Sequence, residues 1–337
     1  MRRDTITRRK ALAAVGSATV VGAAGCLGDN ETVEMRYGHV NAPDSMVGQN
    51  AENLADAFEE RTDGRVTMEV FHAAELGDSD EIIEGVGTGT IDMAHNTWAG
   101  LADLKDELSV FDHPYIYDDI EHALRAATPE DSPLLREFND ELVEDQDVRV
   151  AGSVYYGYRH TTVNEPAYHP SDFEGRTIRA IPWDVYMAAV RGLGATPEPV
   201  AFAELASALA TGVVDGQENP LPTIEANAFY EHQDYLILTG HILSVMPIFM
   251  NIDTWNQMAN EDQETVANAL VDVGQETFEE TVELEDELVD DLADEGMEVI
   301  GEGELDMEAF EDAAFEECQE EFPEWYDEGY VETILNT

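Results

Sequence analysis

Beyond residue 32 the chain alternates between short apolar or β-branched runs and longer helical stretches, and no other feature limits its possible folds so tightly. Residues 33–40 read as a strand, 45–60 as a helix, 66–71 as a strand, 80–86 as a helix and 91–95 as a short strand. Helical stretches at 118–127 and 134–144 lead into a strand at 148–155. The pattern then restarts: a strand at 177–181, helices at 183–191 and 203–210, a strand around 213–216, and a late apolar strand at 243–251. Strands alternating with helices predict βαβ units and a largely parallel sheet, because a parallel crossover needs a helix's worth of chain to return. Residues 261–295 hold no proline and one glycine. Within them Val266, Leu270 and Val273 share a face, and Leu284, Leu288 and Leu292 continue at a spacing of four. That periodicity predicts one long amphipathic helix, or two joined by a bend near Gly274, with its carboxylates outward.

Those carboxylates are the second constraint. The 337 residues carry 74 acidic and 16 basic side chains, a net charge of −58 spread along the whole length, and lysine occurs only as Lys10 and Lys105. Hydrophobic residues make up 43%, with aromatics throughout, which is too apolar for charge-driven disorder. A folded protein adapted to molar salt is expected, because at 1 M the Debye length is about 3 Å and self-repulsion is screened. Nucleic acid is excluded as a partner, since phosphate binding needs clustered Lys and Arg.

The first residues read as an address. Thr7-Arg8-Arg9-Lys10-Ala11-Leu12 is followed by an apolar run at 13–24, and Ala23-Ala24-Gly25-Cys26 resembles a lipobox. Residues 1–25 are therefore expected to be a twin-arginine lipoprotein signal, Cys26 the lipidated first mature residue, and 26–32 a tether. The apolar run falls short of the roughly 20 residues that span a bilayer. The expected location is the extracytoplasmic face of the membrane, reached through the lipid alone. With Cys26 committed to lipid, Cys318 has no disulfide partner, and among Phe315, Phe322 and Trp325 it reads as a half-buried helix residue.

Only eleven Lys and Arg lie beyond Cys26, yet cations and hydrogen-bond donors concentrate between 157 and 221. The stretch holds Gly157-Tyr158-Arg159-His160-Thr161-Thr162, then Gly175-Arg176-Thr177-Ile178-Arg179-Ala180, then Ala201-Phe202-Ala203-Glu204. Val214-Asp215-Gly216-Gln217-Glu218-Asn219-Pro220-Leu221 follows, with Phe229-Tyr230-Glu231 beyond it. Arg presents a planar fork matched to a carboxylate, so this set suits a small organic anion. Arg176, three residues from Arg179 on a strand, faces the other way and is assigned to solvent. Order and spacing resemble the solute-binding proteins of tripartite ATP-independent periplasmic (TRAP) transporters, of the dicarboxylate and sialic-acid-binding type. The likeness runs from about Tyr37 to the acidic C-terminal helices and is weakest over the last forty or so residues.

The resemblance implies an α/β, two-lobe clamp like the periplasmic binding proteins, with mixed sheets, hinge crossovers and a long amphipathic helix linking the lobes. It places lobe I at 33–156 plus 245–284 and lobe II at 157–244 plus 285–337. Arg179 matches the main carboxylate-binding arginine, Arg159 a second arginine on the anion, and Asn219 an amide completing the recognition. Phe202 matches a pocket-lining aromatic, with a core position as its rival. Trp183 is a lid over the anion or a packing residue. The opposite wall is expected from strand ends, at Val40-Asn41 and Asn96-Thr97-Trp98, where α/β folds bind ligands; Asn41, Asn96 and Thr97 are its candidates. His39, His72 and His95 read as scattered structural residues.

The sequence departs from the family pattern at Ala180-Ile181-Pro182, at Phe202-Ala203-Glu204-Leu205-Ala206, and near Thr97, where sialic-acid members carry an acid. These changes bear on which acid is held.

The implied partners are a small organic acid and TRAP membrane permease subunits, with no cofactor and no metal. Two alternatives remain: a binding protein for an ATP-driven importer or a sensor, and a secreted hydrolase. The hydrolase is disfavoured because Gly-x-Ser-x-Gly, His-Glu-x-x-His and metal-spaced Cys/His clusters are missing from the sequence. Dialysis from molar salt into dilute buffer is expected to unfold the chain. An unchanged circular dichroism spectrum after dialysis would refute the salt-adaptation reading.

Overall fold

The computed structural model describes residues 32–337. The expected signal at 1–25, Cys26 and all of the tether except Thr32 lie outside the described residues. Strand β1 (Val33–Gly38) leads to helix α1 (Met46–Arg61), started by the Ser45 side chain accepting from the Gly48 N–H. Strand β2 (Val66–Phe71) leads to α2 (Ser79–Gly87), where Asp78 and Glu81 form a reciprocal capping box. After β3 (Met93–His95) come two 3₁₀ segments, Trp98–Asp103 and Asp106–Asp112, then α3 (Ile120–Ala126) and α4 (Pro133–Asp145).

Strand β4 (Val148–Val163) opens the second part. Next come β5 (Thr177–Ala180), α5 (Asp184–Gly192), β6 (Thr196–Pro199), α6 (Leu205–Thr211), β7 (Gly216–Pro220) and α7 (Leu221–Ala226). Strand β8 (Tyr235–Asn251) returns to the first part, followed by α8 (Ile252–Gln257), α9 (Asn260–Asp294) and β9 (Glu298–Ile300). Helices α10 (Met307–Glu321), α11 (Pro323–Asp327) and α12 (Tyr330–Leu335) end the chain.

The strands form one continuous mixed sheet in the order β2-β1-β3-β8-β4-β7-β5-β6, with β9 paired to β8. β1 pairs in parallel with β2 and β3, and β5 in parallel with β6 and β7. Between these two parallel groups, β4 and β8 run antiparallel over nearly their whole length. The two lobes thus share a pair of long strands.

Here the structure corrects the sequence reading. β4 does not end at Tyr155 but continues eight residues to Val163, and β8 begins at Tyr235, well before 243. The extension of β4 carries Arg159, Thr161 and Thr162, polar yet buried to 0% exposure. Their side-chain partners lie on β7 and β8 and at Gln233 just before β8, so no apolar alternation marks this part of the strand.

Helix α9 is a single 35-residue helix without the bend allowed for at Gly274. At about 1.5 Å per residue it extends roughly 50 Å. Val266, Leu270 and Val273 join the core of β1, α1 and the end of β8, while Leu288 and Leu292 join a separate core with Leu205, Leu221 and Phe229. A third cluster on the other helices includes Trp98, Phe138, Tyr186 and Trp325. Helix α10 packs on α5, and α12 against α4. Cys318 is fully rather than half buried, and burial pushes its thiol up to about 12. No described helix is long and apolar enough to cross a membrane.

Where β4 passes between the lobes its pairing is irregular between Tyr155 and Gly157. Gly157 has φ +117°, and a Cβ there would lie 2.6 Å from Glu285 Oε1 on α9. The Glu285 carboxylate accepts from the Tyr158 N–H at 2.9 Å and from the Tyr155 hydroxyl at 2.7 Å, which pins α9 to this point of the strand. Gly157→Ala is therefore expected to destabilise the fold by about 1–3 kcal/mol. Urea unfolding in molar salt checks this, and an unshifted midpoint would contradict it.

Candidate functional site

Three neighbouring strands bring the sequence-predicted anion-binding residues together. Arg159 lies on β4, Asn219 on β7 and Arg179 on β5, and these strands are adjacent in the sheet. Arg159 is buried to 0% exposure. Its Nε donates to Glu218 Oε2 at 2.5 Å, and its Nη2 to Glu218 Oε1 at 2.9 Å and Asn219 Oδ1 at 3.1 Å. Burial pulls the guanidinium pKa down, but the Glu218 carboxylate more than reverses this and holds it above the ordinary value. Burial would raise Glu218, yet Arg159 and a bond from His241 hold it at about 2. His241 Nε2 donates to Glu218 Oε2 at 3.3 Å while its Nδ1 lies 2.8 Å from the Thr239 hydroxyl. The charge of Arg159 is therefore compensated inside the protein.

Arg179 differs. It is buried to 1% exposure, its Nε donates to the Val200 carbonyl at 2.9 Å, and its Nη1 has no partner. Among the described residues no carboxylate lies within ion-pairing distance of it. Burial lowers its pKa to about 10, with the field of Glu218 opposing the fall and Arg159 adding to it, so it stays charged at neutral pH. A buried cation without a counter-ion is costly unless an anion arrives from outside. Arg176 is spent elsewhere: it donates to the Glu165 and Pro166 carbonyls and lies over the Phe173 ring.

These side chains border a cavity of about 500 Å³. Arg159, Arg179 and Asn219 line one side together with Phe202 and Trp183, and Asn41, Asn96 and Thr97 line the other. The second side is built from the carboxyl ends of β1 and β3, the place where open α/β sheets leave a crevice. Phe202 is also packed against the core of α6 and α7, so its two readings hold together. Trp183 sits at the start of α5 with its ring 6.4 Å from that of Tyr186. Asn219 turns its amide inward, donating to Gln217 Oε1 at 2.5 Å.

Two residues beyond Thr97, the Ala99 N–H donates to the buried Asp112 at Oδ2, 2.8 Å away, and Asp112 Oδ1 has no partner. Burial pushes Asp112 up to about 7, against the Ala99 bond and the field of Arg159.

Sequence reasoning missed several parts. Tyr156, Asn227 and Phe229 also line the cavity. Tyr156 precedes the Gly157 motif by one residue, and its hydroxyl accepts from Thr223 at 2.7 Å and from Asn41 at 3.3 Å. Glu218, next to Asn219 in sequence, has no role in the sequence reading, yet it holds Arg159. The histidines are not scattered: His39 stacks on His95 and meets His72 edge-on, both at 4.8 Å between ring centroids. The reason is topological, since they sit at or just past the ends of β1, β3 and β2, which are neighbours in the sheet.

A family model for bacterial extracellular solute-binding proteins, family 7 (DctP), matches residues 37–324. The sialic acid-binding periplasmic protein SiaP of Vibrio cholerae is 29% identical over 73% of this chain and 75% of its own length. A TRAP periplasmic solute-binding protein of Roseobacter denitrificans, solved with bound 3-deoxy-D-manno-oct-2-ulosonic acid, superposes with a TM-score of 0.83 at 27% identity, covering 90% of this chain and 99% of that one. Another, from Polaromonas, solved with D-erythronate, gives a TM-score of 0.80 at 26% identity over 90% and 98%. By this match over most of its length, and by a two-lobe fold shared with those structures, the chain belongs to the DctP family of extracytoplasmic solute-binding proteins that serve TRAP transporters.

Proposed function

We propose that the cavity captures a hydroxylated monocarboxylic acid, with the carboxylate on Arg179 and with Arg159 and Asn219 beside it. The observation that carries this reading is the unpartnered Nη1 of Arg179, buried at the cavity in a chain rich in carboxylates. Arg159 is already neutralised by Glu218, so one uncompensated cation remains among the lining residues. The far side offers amides, the Thr97 hydroxyl and the acids Asp78 and Asp80, which would repel a second carboxylate. Sialic acid, 3-deoxy-octulosonic acid and D-erythronate, named for the relatives, are all hydroxylated acids of this kind.

Capture works by closure. The lobes come together over the acid, water leaves, and the contacts to Arg179 strengthen in the drier site. The lobes are taken as 33–156 plus 245–284 and 157–244 plus 285–337, joined through β4, β8 and α9. The loaded protein then hands the acid to the TRAP permease subunits without altering it chemically. The twin-arginine signal, the lipid on Cys26 and the salt adaptation belong to this reading as well: they would hold the protein at the outer membrane face in brine, where screening removes long-range repulsion of the anion.

Arg179→Ala is expected to weaken binding of the best acid by about 2–5 kcal/mol, with Arg179→Lys retaining part of the affinity. Calorimetry in molar salt with 3-deoxy-octulosonate, D-erythronate and C4-dicarboxylates measures this. Unchanged affinity in the alanine variant, or a preference for dicarboxylates, would sink the assignment.

A further inference from the structure

Beneath the first-lobe side of the cavity, Tyr37, His95 and Asn41 form a chain of hydrogen bonds. The Tyr37 hydroxyl lies 2.9 Å from His95 Nδ1, and His95 Nε2 lies 3.1 Å from Asn41 Oδ1. Tyr37 is buried to 0% exposure, and among the described residues its hydroxyl meets no other hydrogen-bond partner. Its proton must therefore go to Nδ1, since a buried hydroxyl without an acceptor is strongly disfavoured.

A neutral imidazole that accepts at Nδ1 carries its proton on Nε2. That proton needs an acceptor, and the Asn41 side-chain oxygen is the atom in reach. Burial keeps His95 neutral by lowering its pKa well below the ordinary value. His39 treats the backbone of the same residue alike, its Nδ1 accepting from the Asn41 N–H at 3.2 Å, and burial lowers its pKa to about 3.

With its oxygen taken, Asn41 turns its NH2 group forward. One N–H reaches the Tyr156 hydroxyl at 3.3 Å, which leaves the other for the cavity that Asn41 lines. Asn96 repeats the arrangement, because its Oδ1 accepts from the Thr97 N–H at 2.8 Å.

We propose that the Tyr37–His95 pair is a specificity-determining device: it fixes Asn41 as a donor, so the ligand group that meets Asn41 is selected as an oxygen acceptor, and an ammonium is disfavoured at that point even though Asp78 and Asp80 lie elsewhere on this side. The inference rests on the reading that the cavity holds an organic acid. Tyr37 and His95 are positioning residues, acting through the orientation of one amide.

The test combines a ligand-free readout with binding. Imidazole ¹⁵N NMR of the wild type should show His95 in the Nε2–H form alone, and Tyr37→Phe, which removes one buried hydroxyl, should admit the other tautomer. Calorimetry in molar salt then compares D-erythronate with 4-aminobutyrate, an acid of equal chain length ending in an ammonium. Tyr37→Phe should weaken D-erythronate about three- to tenfold, and that loss should vanish in an Asn41→Ala background. Asn41→Asp should shift the preference toward 4-aminobutyrate.

An Nδ1–H tautomer in the wild type overturns the proposal whether or not any variant folds. D-erythronate binding that Arg179→Ala abolishes and Tyr37→Phe leaves untouched overturns it while sparing the cavity reading. If the wild type binds neither D-erythronate nor 3-deoxy-octulosonate, the cavity reading fails and takes this inference with it.

Discussion

The buried pair of Arg159 and Glu218 is the interaction on which the site depends. It ties β4 to β7, where Arg159 stands opposite Pro220 and Thr161 opposite Glu218, and so sets Asn219 beside the cavity. Desolvating both charges is expensive, and the cost is offset only because both carboxylate oxygens are engaged and His241 adds a further bond. Removing one partner from such a pair costs about 3–5 kcal/mol, since the other is left buried and uncompensated. The pair also decides the electrostatics of the pocket. By neutralising one guanidinium internally it leaves Arg179 as the group with unmet demand for an anion.

The shared strands give the clamp both continuity and freedom. β4 and β8 run through both lobes as one antiparallel ribbon, so the lobes cannot separate, yet the pairing breaks register at several points along it. The irregularity at Gly157 coincides with the place where Glu285 anchors α9. One long helix contributes Val273 to one core and Leu288 to another, so it ties the two parts of the ribbon together. The cavity lies beside that ribbon, with the amides past β1 and β3 on one side and the arginines of β4 and β5 on the other.

An acidic surface and an anion-binding pocket look contradictory only over long range. In concentrated salt the field of distant carboxylates decays within a few ångströms, whereas a guanidinium buried to 1% exposure at the cavity wall acts on an anion at contact, where little screening intervenes. Nearly every other cation in the described chain is engaged locally. Arg65 forks onto Asp262, Lys105 bridges Glu107 and Glu141, and Arg191 meets Glu317 and Glu321. Arg149 and Arg176 likewise have no acid partner, but they rest on aromatic rings away from the cavity; Arg179 is set apart because it is buried and lines the cavity without an acid of its own.

The sequence by itself determined most of the strands and helices as far as α9, the two-segment core face of that helix, and the residue types around the cavity, because periodicity and short polar motifs are local properties; it passed over β6, α7, α8 and β9 and set β7 at 213–216 instead of Gly216–Pro220. It was blind where partners are distant. The second half of β4 carries Arg159, Thr161 and Thr162, whose burial makes sense only with β7 and β8 alongside, so no apolar alternation announced it. The role of Glu218 depended on the neighbouring strand bringing the Arg159 side chain within reach, from 59 residues away in sequence. The packing of His39, His72 and His95 required β1 to lie between β2 and β3. Strand adjacency decided which donors, acceptors and charges face one another, and a pairing energy between residues far apart in sequence leaves no mark on either one's neighbours along the chain.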